Sequence, residues 1–280
     1  MRYRLLLALD HSVWSAAAAR ACLRVASCAP DQVHVTATHV VNVAPFSGHV
    51  LQDIAGMLGW EPVIVPQRVA EQVQHRGERL LASFAAEAAE LGVEVKPRIE
   101  HGAVAERLVS LGAEADLLIM GLRGDTEESA PGQGGATVER LVRRASCSVL
   151  LTGSTPSPLG RIALGYDGTD GARAALRAVR PLAAQLKCPV TVIYVVDARR
   201  EPGHDPSAEG VAALREEGLE AEALVVEGEP AEALPAVALE VGADVLALGY
   251  RGRGLLKELL LGRVTERVLA EVDMPLLIAR

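Results

Sequence analysis

The chain has 280 residues, half of them apolar, with a formal net charge of −8 and a pI near 5.5. That length is long for one ordinary domain and comfortable for two, and the apolar share is enough for a large core. An acidic chain repels phosphate backbones, and a 3% aromatic content leaves few rings for stacking on bases, so nucleic acid is not an expected partner.

The N-terminus, Met1–Asp10, carries a short apolar run that Asp10 and His11 interrupt. It reads as a first strand and not as a signal peptide. No apolar stretch reaches the roughly 18 residues of a membrane helix, so no membrane partner is expected and the cytoplasm is the expected compartment. The four cysteines, Cys22, Cys28, Cys147 and Cys188, form no C-x-x-C pair, and the seven histidines form no His-x-x-x-His pair. No metal site is expected, and the cysteines read as small buried residues in a reducing compartment.

In chain order, the first strand falls at 3–9 and ends at Asp10-His11-Ser12. Three adjacent residues on one strand end cannot relay a proton as a triad does, and Ser12 suits the N-cap of an Ala-rich helix at 12–28. A second strand at 34–41 ends at His39-Val40-Val41. Segment 42–66 follows and mixes apolar residues with glycines; a lid over a site and a partner surface both fit it. A helix at about 67–91, a strand at 93–99, a helix at 104–113, a strand at 116–121, a helix at 137–145 and a strand at 148–152 complete the series. His101 falls near the rim of the expected cleft.

The series then repeats. Ala115-Asp-Leu-Leu-Ile-Met-Gly121-Leu-Arg-Gly124 matches Ala243-Asp-Val-Leu-Ala-Leu-Gly249-Tyr-Arg-Gly252, and Leu6-Leu-Ala-Leu-Asp10 matches Ile162-Ala-Leu-Gly-Tyr-Asp167. The offset is about 157 residues at Asp10 and about 126 at Gly102, so the second copy has lost roughly 29 residues between its second and third strands. Its strands fall at 161–166, 190–196, 222–227, 244–249 and 275–279. The boundaries read as a first domain at 1–153, a linker at 154–159 stiffened by two prolines, and a shortened second domain at 160–280.

Continuous apolar strands alternating with helices predict an α/β fold of two tandem Rossmann-like domains, each a five-stranded, mainly parallel sheet with helices on both faces. Ligands in such sheets sit at the carboxyl ends of strands, which points to Asp10, Val40, Gly121 and their counterparts. In the second copy, Gly249-Tyr-Arg251-Gly252 is followed, after a spacer of nine residues, by Gly262-Arg263-Val264-Thr265-Glu266. Glycines let backbone N–H groups approach a bound group, and a helix N-terminus favours an anion. A tight turn with a helix cap also fits the same residues. The spacing is neither a P-loop nor a dinucleotide fingerprint.

A strand ending in Asp, then G-2x-G-9x-G with a following hydroxyl after the fourth strand, then a V-x-E-R helix, resembles the universal stress protein family over nearly the whole chain, twice. Cys147-Ser-Val-Leu-Leu and Met274-Pro-Leu-Leu-Ile resemble the final strand of that family. Members either bind ATP at this loop or lack binding, and no catalytic residue set comes with the resemblance, so no enzyme is expected. It implies an adenine pocket at Asp167 and Val195, with Gly249, Gly252, Gly262 and Thr265 around ribose and phosphates, and Arg251 and Val264 beside them. Arg263 stands where the family has Ser or Thr. It either fills the pocket or reaches phosphate oxygens.

In the first copy the matching positions are Asp10, Val40, Gly121, Gly124, Gly135 and Thr137, with Ala136 at the hydroxyl position. The spacer there is ten residues and carries Asp125, Glu127 and Glu128, which read as solvated loop acids that repel phosphate unless a magnesium ion lies between. The second copy is therefore the expected ATP site, with Mg2+ as an optional companion. The resemblance also implies that the two halves pair as a dimer does within one chain, with a further homodimer as an option. Two alternatives stay open: a structural or signalling module that has lost nucleotide binding, and a slow ATPase.

Overall fold

The computed structural model describes residues 2–42, 64–124, 136–196, 205–250 and 262–280. The strands are β1 (Tyr3–Ala8), β2 (Val33–Val41), β3 (Val95–His101), β4 (Leu117–Gly121), β5 (Ser148–Thr152), β6 (Ile162–Gly165), β7 (Val190–Val196), β8 (Ala221–Glu227), β9 (Val245–Gly249) and β10 (Leu276–Ala279). The helices are α1 (Val13–Ser27), α2 (Ile64–Glu90), α3 (Val104–Gly112), α4 (Ala136–Arg144), α5 (Asp170–Leu186), α6 (Ser207–Arg215), α7 (Pro230–Glu240) and α8 (Arg263–Glu271). A 3-10 turn, Pro30–Gln32, leads into β2.

Every strand within a half is parallel to its neighbours, in the order β3-β2-β1-β4-β5 and its repeat β8-β7-β6-β9-β10. The two five-stranded halves meet edge to edge. β5 and β10 pair antiparallel, Leu150 opposite Leu277, and one ten-stranded sheet results. A strand covered on both faces must be apolar at every position, not at alternate ones. Leu5 and Leu7 accordingly enter one buried layer with α1, α2, α5 and α6, while Leu6 enters the other with α3, α4, α7 and α8. Both layers run through both halves.

Caps place the helix starts. Ser12 Oγ accepts the N–H of Ser15 at 3.1 Å, and Thr169 Oγ1 accepts that of Ala172 at 3.2 Å. Where the apolar pattern starts the third strand at 93, the strand starts at Val95. Gly92, at φ 72°, ends α2, and Val93 N bonds back to the Ala88 carbonyl at 2.9 Å, which delays the strand. The length difference between the halves lies where the offsets place it. The first half joins β2 to β3 with a 27-residue α2, and the second joins β7 to β8 with a nine-residue α6.

The connection between halves is fastened at both ends. Ser154 bonds the Asp273 carboxylate through its N–H at 3.2 Å and its hydroxyl at 2.8 Å, and Asp244 Oδ2 accepts the N–H of Gly160 at 2.8 Å and of Arg161 at 3.1 Å. A Cβ built on Gly153 would stand 1.8 Å from the Asp273 carbonyl oxygen, so only glycine lets the chain pass there. Across the seam, Gln185 Nε2 donates to the Val25 carbonyl at 3.1 Å.

Candidate functional site

In each half the strand order reverses direction between β1 and β4, or between β6 and β9. The carboxyl ends diverge there and open a crevice. Asp10 and Asp167 stand at these two points, both half-buried. Each aspartate closes its own turn with one oxygen. Asp10 Oδ1 accepts the N–H of Ser12 at 2.9 Å; Asp167 Oδ1 accepts the N–H of Thr169 at 3.1 Å and its hydroxyl at 2.6 Å. The carboxylates are thereby held in fixed orientation at the crevice floor. A Cβ on Gly124 would come within 3.0 Å of Asp10 Oδ2, so the stretch after β4 lies directly against that carboxylate.

Two of the expected binding glycines have a packing reason. A Cβ on Gly121 would meet Trp14 Cβ at 2.6 Å and the Trp14 carbonyl carbon at 2.9 Å. One on Gly249 would meet the carbonyl carbon and oxygen of Gly171 at 2.3 Å. Trp14 and Gly171 occupy matching positions in the repeat, each in the first turn of its helix. Both glycines let a helix press on a strand end, and neither has a positive φ. Their place in the motif is fixed by the fold before any ligand is considered.

The N-terminus of α8 opens beside β9. Gly262 is the N-cap and no side chain caps it; its own N–H bonds the Tyr250 carbonyl at 3.1 Å. The first intrahelical bond is Glu266 N–H to the Gly262 carbonyl at 2.9 Å, so the N–H groups of Arg263, Val264 and Thr265 have no role in the helix ladder. Arg263 is exposed and Val264 half-buried. Thr265 departs from the expectation of a phosphate contact. It is buried, and its hydroxyl donates to the Gly249 carbonyl at 2.9 Å, tying α8 to the end of β9. Val195 is buried at the end of β7, whereas Val40 is half-buried at the end of β2. Thr137 is half-buried in the first turn of α4, and buried Val138 occupies the position of Thr265. Gly135, Arg251 and Gly252, like the acids Asp125, Glu127 and Glu128 and most of segment 42–66, lie outside the described residues.

Tyr250 is a structural residue that the pattern alone did not single out. It is buried directly after β9; its N–H bonds the Ala279 carbonyl at 2.8 Å, and its hydroxyl donates to the Arg143 carbonyl at 3.4 Å. The Arg280 guanidinium lies 4.4 Å from its ring centroid and also donates to the Arg143 carbonyl. The ring therefore anchors the start of the glycine-rich loop to the first half. A tyrosine at that position, against Leu122 in the first copy, is the signal that marks it.

Two cavities lie along the seam between the halves. One, of about 300 Å³, is lined by Tyr3, Asp116, Cys147, Arg177 and Arg280 among others. The other, of about 200 Å³, lies between Trp14, Arg123 and Asp273. In the first, Asp116 takes the Arg4 guanidinium at 2.7 and 3.2 Å and the Arg4 N–H at 2.8 Å, and these bonds hold its carboxyl below the usual range. Burial next to Asp116 pushes the Tyr3 phenol well above its ordinary value. Among the described residues no three His, Cys, Asp or Glu side chains group as a metal site, and no helix is long and apolar enough to cross a membrane.

A doubly wound sheet of this order, with an aspartate at each switch point and a glycine-flanked helix start after the fourth strand of the second half, defines a tandem doubly wound α/β fold. The model of the universal stress protein family matches residues 1–153 and 158–280, and the chain belongs to that family. It is 26% identical to Universal stress protein Rv2005c of Mycobacterium tuberculosis, over all of this chain and 97% of that one. It is 25% identical to Universal stress protein Slr1230 of Synechocystis over 64% of this chain and 63% of that relative. The crystal structure of a universal stress protein from Archaeoglobus fulgidus superposes over 99% of this chain and 98% of that one, with TM-score 0.72 and 15% identity, a likeness of fold.

Proposed function

We propose that this chain binds ATP in the crevice of its second half and acts in the cytoplasm as a regulatory or protective stress protein without strong turnover. The observation that carries the reading is the convergence of Asp167, Val195 and the first turn of α8 on the β6–β9 switch point. Val195 supplies an apolar wall for adenine, and the Asp167 carboxylate an acceptor for its amino group. The first-turn N–H groups of α8 and the exposed Arg263 supply donors and positive charge for phosphates. Arg263 thus takes the place of the small hydroxyl, with Mg2+ as a companion of the nucleotide. The two halves act as one body, a dimer-like pair within one chain.

The second reading, a module that has lost nucleotide binding, is favoured by Thr265, whose hydroxyl is spent on Gly249. Thermal unfolding with and without ATP and magnesium separates the two. A ligand at 100 times its dissociation constant stabilises the native state by about 2.7 kcal/mol. A rise in Tm that vanishes in Gly252→Val and survives in Gly124→Val supports the second-half site. No rise in the unaltered protein, with no nucleotide carried through purification, supports the module.

A further inference from the structure

The start of α8 hangs on Tyr250. The Tyr250 carbonyl accepts the N–H of Gly262, the N-cap of α8, at 3.1 Å, so the chain leaving β9 and the chain entering α8 are tied together. The Tyr250 N–H bonds the Ala279 carbonyl at 2.8 Å, which fixes the same point to the end of β10. What else holds Tyr250 belongs to the other half. A helix leaves its last carbonyls without partners in its own ladder. At the end of α4 the Arg143 carbonyl takes the Tyr250 hydroxyl at 3.4 Å and the Arg280 guanidinium, so two residues of the second half cap a helix of the first. The same guanidinium stands 4.4 Å from the Tyr250 ring centroid and steadies the buried ring. The repeat has no such clasp at the opposite end of the seam. Leu122 stands in the place of Tyr250, Gly153 in that of Arg280 and Ala270 in that of Arg143, and Leu122 and Ala270 line the cavity of about 200 Å³.

We propose, as an extension that rests on the ATP reading of this crevice, that Tyr250 and Arg280 are positioning residues for the phosphates of the nucleotide. They key the first turn of α8 to the first half, and the second-half site is complete only while the two halves are paired. They act through the Tyr250–Gly262 bond on the N–H groups of Arg263, Val264 and Thr265, which are the donors left over at that helix start. A shift of a helix start by a fraction of an ångström misdirects several donors at once, and a phosphate group held by them feels the sum. The base side of the crevice is built separately. Asp167 is fixed by its own turn with Thr169, and Val195 belongs to β7, two strands away from β9. Release of the clasp therefore weakens the hold on phosphates and leaves the hold on the base as it was.

The test measures the dissociation constants of ATP with magnesium and of adenosine for the full chain, unaltered and as Tyr250→Leu, Tyr250→Phe and Arg280→Ala. Tyr250→Leu installs the residue of the first half; it removes a hydrogen bond and a cation–π contact, and ATP binding should weaken about tenfold. Tyr250→Phe keeps the ring under Arg280 and should recover most of that loss. Adenosine binding should stay within about twofold in all three, so the ratio of the two affinities is the readout that general loosening of the fold does not move. Arg280 is exposed, so Arg280→Ala keeps the test open where Tyr250→Leu folds poorly, and it should show the same loss for ATP alone. Equal losses for ATP and adenosine would make the clasp a fold contact only and overturn the positioning role. Unchanged ATP binding in Tyr250→Leu and Arg280→Ala would overturn it while leaving the ATP reading intact. No ATP binding by the unaltered protein would overturn both.

Discussion

The two halves share a frame and differ in what stands at its mouth. Each ends its fourth strand in a glycine forced by a helix, Gly121 under Trp14 and Gly249 under Gly171, and each holds an aspartate across the crevice. Beyond that point they part. The first half starts α4 at Ala136 and places Val138 where the second has Thr265; the second starts α8 with an exposed arginine and anchors its loop through Tyr250. A repeat keeps what the sheet needs, and the groups that would touch a ligand are free to diverge. The asymmetry is therefore the functional signal, and the shared glycines are the structural one.

The largest expected effect tests the shared part. Gly249→Ala drives a Cβ into backbone that cannot move separately, and overpacking of this kind costs about 1–3 kcal/mol. Gly121→Ala meets one side-chain carbon at 2.6 Å and backbone at 2.9 Å, so its loss should be the smaller of the two. Paired urea melts decide it; two neutral variants would mean that these glycines are kept for a ligand after all. Next comes the part that differs. Thr265→Val removes the donor to the Gly249 carbonyl and should cost about 1 kcal/mol, the usual net worth of one hydrogen bond, while Thr265→Ser should restore most of it. Val138→Thr in the first half should gain nothing comparable.

The smallest effect carries a pH signature. The Asp116 carboxyl is held low chiefly by its hydrogen bond from Arg4, so it stabilises the fold above the ordinary carboxylate pKa and loses that contribution as pH falls through its depressed value. Both partners are partly solvent-exposed, which limits the contribution to about 1 kcal/mol or less. Asp116→Asn should lower Tm at pH 7, and its gap to the unaltered protein should narrow below about pH 4. A gap that widens with acid would contradict the assignment. The matching Asp244 carboxylate accepts the backbone N–H groups of Gly160 and Arg161, while the Arg161 guanidinium bonds Glu222 instead, another instance of one position put to two uses.

Much of the frame is legible in the residues themselves. Apolar runs set the strands within two residues, most plainly β4, β5, β9 and β10 at the centre of the sheet, which are covered on both faces; the edge strands β3 and β8 carry exposed charges. The switch-point aspartates follow from the strand ends. The reason for Gly121 and Gly249 is not legible, because a glycine in a loop motif looks the same whether a ligand or a helix crowds it. Thr265 marks the same limit. A hydroxyl beside a glycine-rich loop invites a phosphate, and only the fold shows it turned inward to a carbonyl.

The most direct measurement is the stoichiometry of ATP bound to the full chain by equilibrium dialysis, with magnesium present, in the unaltered protein and in Arg263→Glu. One nucleotide per chain, lost in Arg263→Glu while the far-UV spectrum and Tm of the free protein stay unchanged, is the predicted result. Two nucleotides per chain, or one that survives Arg263→Glu, would contradict the assignment of the site to the second half.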